Sequence, residues 1–430
     1  MKTLSRRRLL VSSLAGAGML LPALSRRGRA GGRAVGKAKN LIVVYASGGW
    51  DTTYAVDPKP GRANVDAPDG SEKMYGEYPI FIDSARPAIE KYFDAHADVT
   101  AIVNGINVAS IAHMACRMRM FTGTRVEGAP DFAAITSNEL GAELAIPYLV
   151  FGDAAFPGPF GVNVGRVGRN GQLRTLLEAN LAYPLVPEAG YERYFPGDAG
   201  EAAIRDYVLA RTSRRRATEV SEHNLARLDD FELSRSRGDA LLPHADVLGE
   251  PGRILEIDEQ LPLAIDAIQQ QVSYAVMVSS RNNSWDSHAN NGLRQSNLHD
   301  DLFESLDVLV KELRTRPGAS AGSSMLDDTA VVVVSEMGRT PLLNGNGGKD
   351  HWPFTSAMVI GAGVAGGKLC GGTDDSMLGR NVDLETGQVS DAGVALYSES
   401  FLAGILELVG IASDEHLSGV PVLRGFMADA

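Results

Sequence analysis

Short runs of apolar, β-branched residues recur along the chain and predict the strands of one sheet. The run Asn40–Ala46 is followed at once by a glycine-rich turn, as expected for a buried strand that ends in a loop. Similar runs predict further strands at Val99–Val108, Pro147–Gly152, Val272–Ser279, Asp328–Ser335 and Thr355–Ile360. The four consecutive valines at 331–334 are typical of a central parallel strand, which is covered on both faces.

Helical patterns alternate with these strands. Apolar residues at helical spacing predict helices over Ala112–Phe121, Leu261–Gln271, Asn297–Thr315 and Ser398–Val409. Glycine and proline are frequent in residues 155–200, which indicates long loops, and glycines in residues 366–388 indicate a hairpin. Strands that alternate with helices predict an α/β fold with a doubly wound, mostly parallel sheet.

The pattern changes between residues 200 and 250. Glu201–Ala217 and Glu219–Arg235 have helical spacing and carry charges of both signs. We interpret residues 200–250 as a helical insertion in the α/β domain, either a lid or a solvated surface element. Its basic cluster, Arg211 and Arg214–Arg216, fits a solvated helix face.

The first thirty residues have the features of an export signal. Arg6, Arg7 and Arg8 precede a modest apolar stretch, and small residues follow near Ala30. Paired arginines before such a stretch are typical of a twin-arginine signal. We therefore expect residues 1–30 to be a signal peptide, residues 31–430 to form a single domain, and the protein to be periplasmic or secreted. The mature chain has no apolar run long enough to span a membrane.

Composition narrows the classes of function. The 430 residues include 41 Lys+Arg and 53 Asp+Glu, which gives a formal net charge of −12. This balance disfavours a nucleic-acid binder, because phosphate binding needs an excess of basic residues. Two cysteines exclude a disulfide scaffold. Cys116 and Cys370 fit two buried thiols better than a disulfide, although an oxidising compartment would permit one.

Polar clusters with metal-ligand chemistry follow several predicted strands. They contain acidic residues and histidines, namely Asp51, Asp286, His288, Glu336, Asp350 and His351. Ligand sites of open α/β sheets form at the carboxyl ends of the strands. Carboxylates and imidazoles that meet there repel one another unless a cation neutralises them. The sequence therefore predicts one or two divalent ions, with zinc or manganese favoured over calcium.

Each cluster also has a purely structural interpretation. Asp51 could cap a helix, and Glu336 could form an ion pair with Arg339. Asp286 could cap a turn beside an exposed His288. The residues at 350 and 351 could belong to a loop turn.

Five segments together resemble one family. They are Leu41–Asp51 (LIVVYASGGWD), His113 to Gly123, Trp285–His288 (WDSH), Val334–Pro341 (VSEMGRTP) and Lys349–His351. They resemble the exported, sulfatase-like family called domain of unknown function 1501. That family is similar in fold to the alkaline phosphatase superfamily, so the resemblance implies a two-metal α/β hydrolase scaffold. It implies no substrate, because the family has no established activity.

The resemblance implies roles for the early ligands. Asp51 matches the first metal-bridging Asp of the superfamily. Asp286 and His288 match its downstream Asp-x-His pair, with altered spacing.

The later positions depart from the superfamily pattern. Glu336 stands where the superfamily has Asp-His, and Met337 takes the place of that His. Asp350 and His351 match either the last His region or the missing Asp-His pair.

The expected nucleophile is replaced. The place of the superfamily Ser or Thr is held by His113, which follows Ala112. His113 would then be a metal ligand or a phospho-acceptor, or a hydroxide on the metal would attack directly. Ser110, Thr122 and Thr124 are weaker candidates, and the sulfatase maturation motif Cys-x-Pro-x-Arg is absent.

Three basic residues are candidates for binding an anionic substrate. A guanidinium matches the oxygens of phosphate or sulfate, which points to Arg339 and Arg125, and Lys349 would act as a point charge. Two functions remain. The chain is either an exported metal-dependent hydrolase of phosphate or sulfate esters, or a catalytically silent, metal-stabilised protein that binds a cell-surface partner. Its partner would accordingly be a small-molecule ester or a cell-surface polymer.

Overall fold

The structure is a computed structural model that describes residues 38–152, 154–168, 171–178, 197–250, 252 and 254–428. The predicted signal segment, residues 1–30, lies outside the described residues. Within the described ranges, no helix has both the length and the apolar character needed to cross a bilayer.

Fourteen strands are present in the described part of the chain, and eight of them form one sheet. The strands are β1 (Asn40–Tyr45), β2 (Ser71–Tyr75), β3 (Tyr78–Ile82), β4 (Thr100–Asn107), β5 (Tyr148–Val150), β6 (Val164–Arg166), β7 (Ala275–Ser279), β8 (Thr329–Val334), β9 (Gly338–Arg339), β10 (His351–Trp352), β11 (Phe354–Gly361), β12 (Leu369–Gly371), β13 (Asn381–Val382) and β14 (Val394–Ala395).

The helices of the described residues lie between these strands. They are α1 (Pro87–His96), α2 (His113–Thr122), α3 (Phe132–Leu140), α4 (Gln172–Leu177), α5 (Gly197–Thr218), α6 (Glu222–Leu241), α7 (Ile257–Gln269), α8 (Asn291–Thr315) and α9 (Ser398–Leu408). Short 3₁₀ segments, such as Thr52–Tyr54, supplement them.

The large sheet has the strand order β12-β4-β11-β8-β1-β7-β5-β6. Strand β1 pairs in parallel with both β7 and β8. Strand β11 is antiparallel to both of its neighbours, β4 and β8. The predicted fold class is therefore confirmed: the protein is α/β with a mostly parallel central sheet.

Hydrophobic side chains cover both faces of this sheet. Alternate residues of a strand point to opposite faces, so Val43 and Tyr45 join one core and Ile42 and Val44 join the other. On the first face Tyr45 meets the ring of Phe121 from α2 edge-on at 5.0 Å. Helices α1, α7 and α8 contribute to the second core. A strand that is buried on both sides needs apolar residues at every position, which explains the valine run of β8.

The structure corrects several expected elements. The stretch 155–200 contains strand β6, which pairs with β5, besides loops. The glycine-rich stretch 366–388 contributes β12 to the edge of the large sheet, in parallel with β4, rather than a simple hairpin. The hairpin of β2 and β3 and the helix α1 were not expected. The two helices expected between 200 and 250 are present as α5 and α6.

Candidate metal centre

Loops at one edge of the sheet carry most of the predicted site residues. His113 is the first residue of α2, which follows β4. Asp286 and His288 lie between β7 and α8, and Glu336 lies just beyond β8. His351 precedes β11 instead of following a strand. Because β11 runs opposite to its neighbours, its beginning lies at the edge where the parallel strands end.

Three imidazoles converge on the carboxylate of Asp286. The Nε2 atoms of His288 and His351 lie 3.1 and 3.2 Å from its Oδ1 atom. The Nε2 atom of His113 lies 3.4 Å from Oδ2. His288 and His351 also approach each other, with 3.0 Å between their Nε2 atoms. The donor atoms of His113, Asp286 and His351 all lie within 4.8 Å of one another, which is close enough to share one ion, and His288 is not part of that group of three.

The other ring nitrogen of each histidine contacts an acceptor outside the cluster. The Nδ1 atom of His113 lies 2.9 Å from Glu336 Oε1, and that of His288 lies 2.8 Å from Asp350 Oδ1. The Nδ1 atom of His351 lies 2.7 Å from the carbonyl oxygen of Ile111. These oxygens accept hydrogen bonds, so we assign the ring protons to Nδ1. The Nε2 lone pairs of His288 and His351 then face each other at 3.0 Å, and the Nε2 atom of His113 faces Asp286.

This arrangement fits a divalent metal ion. Two unprotonated nitrogens at 3.0 Å repel unless a cation lies between them, and the buried Nε2 atom of His113 has no hydrogen-bond partner among the described residues. Three nitrogens and a carboxylate form a typical zinc donor set, and tetrahedral donors about 2.0–2.1 Å from zinc lie about 3.3 Å apart. Four of the donor separations, those of the Asp286 oxygens from the three Nε2 atoms and that between His288 and His351, are 3.0–3.4 Å and lie close to that value. Neighbouring acceptors that fix the imidazoles are common around bound metals.

Glu336 orients His113 from a fully buried position. Its two oxygens accept hydrogen bonds from the backbone N–H of Gly48, at 3.1 and 2.9 Å. Burial opposes the charge of Glu336, but the hydrogen bonds from His113 and Gly48 and the nearby charge of Arg117 outweigh it and lower its pKa. The hydrogen bond to Glu336 in turn raises the pKa of His113. Glu336 therefore supports a ligand and does not face the other donors directly.

Gly48 fits against the loop that carries Asp286 because it has no side chain. Its φ is +123°, and a Cβ atom there would lie 2.7 Å from the backbone nitrogen of Asp286. A larger residue would therefore push the first loop away from the loop that carries Asp286.

Arg339 is buried beneath Asp286. Its Nη2 atom lies 2.6 Å from Asp286 Oδ1, its Nε atom donates to the carbonyl oxygen of Gly49, and its Nη1 atom donates to that of Lys349. Burial opposes ionisation of Asp286, but Arg339 and the nearby histidines lower its pKa to about 2. The expected pair between Arg339 and Glu336 is thus replaced by a pair with Asp286. The expected role of Arg339 as a substrate clamp does not fit a side chain with no exposed surface.

Asp51 lies outside the group of convergent donors. Its Oδ2 atom is 2.8 Å from Lys349 Nζ and accepts a hydrogen bond from Asn291. Its Oδ1 atom accepts from the backbone and the hydroxyl of Thr53, so Asp51 caps the 3₁₀ segment that follows it. Lys349, another expected anion-binding residue, is fully buried in this pair. The structural interpretation of Asp51 as a cap describes these contacts.

The hydroxyl candidates have other partners. The Thr122 hydroxyl donates to the carbonyl oxygen of Met118, at the far end of α2 from His113. The hydroxyls of Ser110 and Thr124 accept bonds from nearby backbone N–H groups. Arg125 is exposed and donates to the carbonyl oxygen of Ala109. Cys116 and Cys370, which the sequence left open, are free, buried thiols.

The supporting role of Arg117 was not predicted from the sequence. Its Nε atom lies 3.5 Å from Glu336 Oε1 and donates to the hydroxyl of Tyr45. Arg117 follows His113 by four residues, so the two lie on one face of α2. That spacing was the available signal.

Comparison with solved structures gives distant similarities. A protein of the alkaline phosphatase superfamily from Vibrio parahaemolyticus has a TM-score of 0.39 and 9% identity, with 95% of this chain and 76% of that chain covered. The lipoteichoic acid synthase LtaP from Listeria monocytogenes has a TM-score of 0.39 and 12% identity, over 97% of this chain and 80% of that chain. The soluble domain of lipooligosaccharide phosphoethanolamine transferase A from Neisseria meningitidis has a TM-score of 0.39 and 10% identity, over 94% and 96%. Similarity at this level says nothing about ligand or activity.

The family assignment is firmer. No curated protein matches the chain. The model of the family described as "Protein of unknown function (DUF1501)" matches residues 38–171 and 257–416, which is more than half of the chain. The two matched stretches contain every residue of the histidine and aspartate cluster and leave out α5 and α6. The chain belongs to the DUF1501 family.

Proposed function

We propose that this protein binds one divalent ion, zinc or manganese, at His113, Asp286, His288 and His351, and hydrolyses a phosphate or sulfate ester. When bound, such an ion supplies Lewis-acid polarisation of an ester oxygen and a lowered pKa for a water molecule. The observation that carries the proposal is the convergence of three Nε2 atoms, each with its Nδ1 atom held by an acceptor, on one carboxylate.

The surroundings of the cluster suit an anionic substrate. Arg125 is exposed and is anchored to the carbonyl oxygen of Ala109. The carbonyl oxygen of Ile111, two residues after Ala109, contacts the Nδ1 atom of His351. The guanidinium of Arg125, anchored to the segment that holds His351, would attract a phosphate or sulfate group. Ala112 offers no hydroxyl before His113, so we propose that water is the nucleophile and His113 is a ligand.

One observation favours a second function. Three nitrogens and one oxygen can fill a tetrahedral zinc site, and a filled site of this kind is structural. The protein would then be a catalytically silent, metal-stabilised fold that binds a cell-surface partner. The exposure of His288 favours the hydrolase over the structural site. Its side chain is 45% exposed, so solvent or a substrate can reach the centre at this ligand.

We also propose export by the twin-arginine route, on the basis of Arg6–Arg8 and the apolar stretch after them. A chain with Arg6 and Arg7 replaced by lysine should remain in the cytoplasm. Equal periplasmic amounts of this variant and the wild type would contradict the proposal.

Metal content and hydrolysis test the main proposal together. Protein purified without chelator should contain about one zinc or manganese ion per chain and should hydrolyse at least one ester in a panel of chromogenic phosphate mono- and diesters and sulfate esters. His351→Ala should lose the metal and the turnover while keeping the circular dichroism spectrum. His223→Ala is the matched control, because His223 is exposed on α6 and should change neither. Metal without turnover favours the silent protein, and the absence of metal refutes both functions.

A further inference from the structure

We infer that Lys349 is an internal counter-ion for Asp51, and that this ion pair, rather than a second metal ion, positions the loops of the metal centre. The inference rests on the proposed metal site and adds two statements to it. Lys349 and Asp51 are positioning residues, and the chain binds one ion.

The pair is buried on both sides. The side chains of Lys349 and Asp51 are 0% and 2% exposed, with 2.8 Å between Nζ and Oδ2. The ammonium makes no hydrogen bond of good geometry to any of the described residues, so Asp51 is its electrostatic partner. Burial alone would raise the pKa of Asp51, but the charge of Lys349 and the hydrogen bonds from Thr53 and Asn291 outweigh it and hold this pKa below the usual value.

The backbone of Lys349 contacts the segments that carry the proposed ligands. Its N–H donates to the carbonyl oxygen of Ser287, which lies between Asp286 and His288. Its carbonyl oxygen accepts a hydrogen bond from Arg339, which holds Asp286. Displacement of Lys349 therefore moves the loop between β7 and α8 and the two residues that follow Lys349 itself.

The other end of the pair belongs to the first loop. Asp51 lies three residues after Gly48, whose N–H holds Glu336 and thereby His113. The backbone N–H of Asp51 donates to Gln295 of α8. The ion pair thus joins the loop that supports His113 to the loop that carries Asp286.

The contacts of Asp51 leave little place for a metal. Both oxygens already accept bonds from Thr53 and Asn291, and the ammonium lies where a cation would have to bind. Removal of one partner leaves the other as an uncompensated buried charge, whereas removal of both partners costs far less. This asymmetry makes the pair testable by a double-mutant cycle.

The experiment measures zinc affinity and Tm in Asp51→Asn, Lys349→Met and the double variant. Each single variant should lose about tenfold or more in zinc affinity, as is usual when a group that orients a ligand is removed. The double variant should return to within about threefold of the wild type and should regain most of the lost Tm. Lys59→Met is the matched control. It breaks a nearly buried 2.8 Å pair with Asp57, so it should lower Tm and leave zinc affinity unchanged.

The outcomes separate the rival roles of Asp51. If Asp51 were a ligand, the double variant would bind zinc as poorly as Asp51→Asn, and the inference would be wrong. Unchanged affinity in all three variants, or two ions in the wild type, would also overturn it. If the single variants do not fold, the double variant decides, since it must still bind one ion tightly. A wild type that binds no zinc or manganese refutes both the proposed function and the inference. The outcomes named above refute the inference alone.

Discussion

Replacement of Glu336 by glutamine removes a charge from the centre with almost no change of shape. The carboxylate is fully buried and accepts from His113 and Gly48. The amide oxygen of Gln, placed at the Oε1 position, can still accept from both, because Oε1 contacts both donors. The amide NH2 then replaces Oε2 and cannot accept from the Gly48 N–H. The substitution therefore removes the charge of Glu336 and one of its two contacts with Gly48, and it leaves the size of the side chain unchanged.

The expected loss of zinc affinity follows from this burial. Mutation of groups that orient metal ligands typically costs about 10–100-fold in affinity, which is roughly 1.4–2.7 kcal/mol. Glu336 has no exposed surface, so solvent does not screen its interaction with His113. We expect Glu336→Gln to lie near the upper end of that range. The assay is competition with a chromogenic chelator at fixed pH, with Tm of the metal-free protein as the check on folding.

Asp350→Asn is the matched control for Glu336→Gln. Asp350 holds the Nδ1 atom of His288 in the same way, at 2.8 Å, but its side chain is 57% exposed. Solvent screens an exposed charge, so this variant should lose about threefold in affinity or less. Equal losses in the two variants, or no loss in Glu336→Gln, would refute the reasoning that burial sets the strength of these supports.

Two further predictions concern pH and backbone conformation. Burial, helped by the charge of Arg86, lowers the pKa of His299 to about 3. Below pH 6.5 the unfolded chain therefore binds a proton at this residue that the folded chain does not. The free energy of unfolding should fall by about 1.4 kcal/mol per pH unit as the pH falls from about 6.5 towards 3. His299→Gln should reduce the loss between pH 6.5 and 4.5 by about 2–3 kcal/mol in urea unfolding, and parallel pH profiles for the two proteins would contradict this. Gly48→Ala should abolish tight zinc binding because its Cβ would meet the backbone of Asp286. The control is Gly61→Ala, at a positive φ with open space around it, which should cost only about 1 kcal/mol of stability. Equal zinc affinities of these two variants would disprove the role of Gly48.

The strands of the sheet were predictable because a strand that is buried on both faces has an unbroken run of apolar residues in the sequence. The runs at β1 and β8 are apolar at nearly every position, and both strands were expected close to their observed bounds. Direction was not predictable. A strand was predicted at Thr355–Ile360, but nothing in its sequence indicates that β11 runs against its neighbours. The pair β2 and β3 was missed because Ser71–Tyr75 is largely exposed and polar.

The location of the candidate site was predictable from the sequence, but the role of each residue in it was not. The sequence indicates that acidic residues and histidines gather at one sheet edge, and His113, Asp286, His288 and His351 do meet there. It cannot indicate which carboxylates are satisfied by other groups. Glu336 is occupied by a backbone N–H, a contact that no side-chain pattern reveals.

Asp51 shows the same limit. Its partner Lys349 is distant in sequence and lies beside it only in the folded chain. The pairing depends on how the two loops pack, which local patterns do not encode.

The short strand β10 restricts how the chain can vary next to His351. It pairs with β9 so that His351 lies opposite Arg339 and Trp352 lies opposite Gly338. Because neighbouring side chains of a strand face opposite ways, a one-residue insertion between His351 and β11 would exchange the directions of the imidazole and the indole. On the other side, the exposed glycine turn at residues 345–347 can lengthen without that exchange. Length changes should therefore be tolerated in the turn at residues 345–347 and not between His351 and β11.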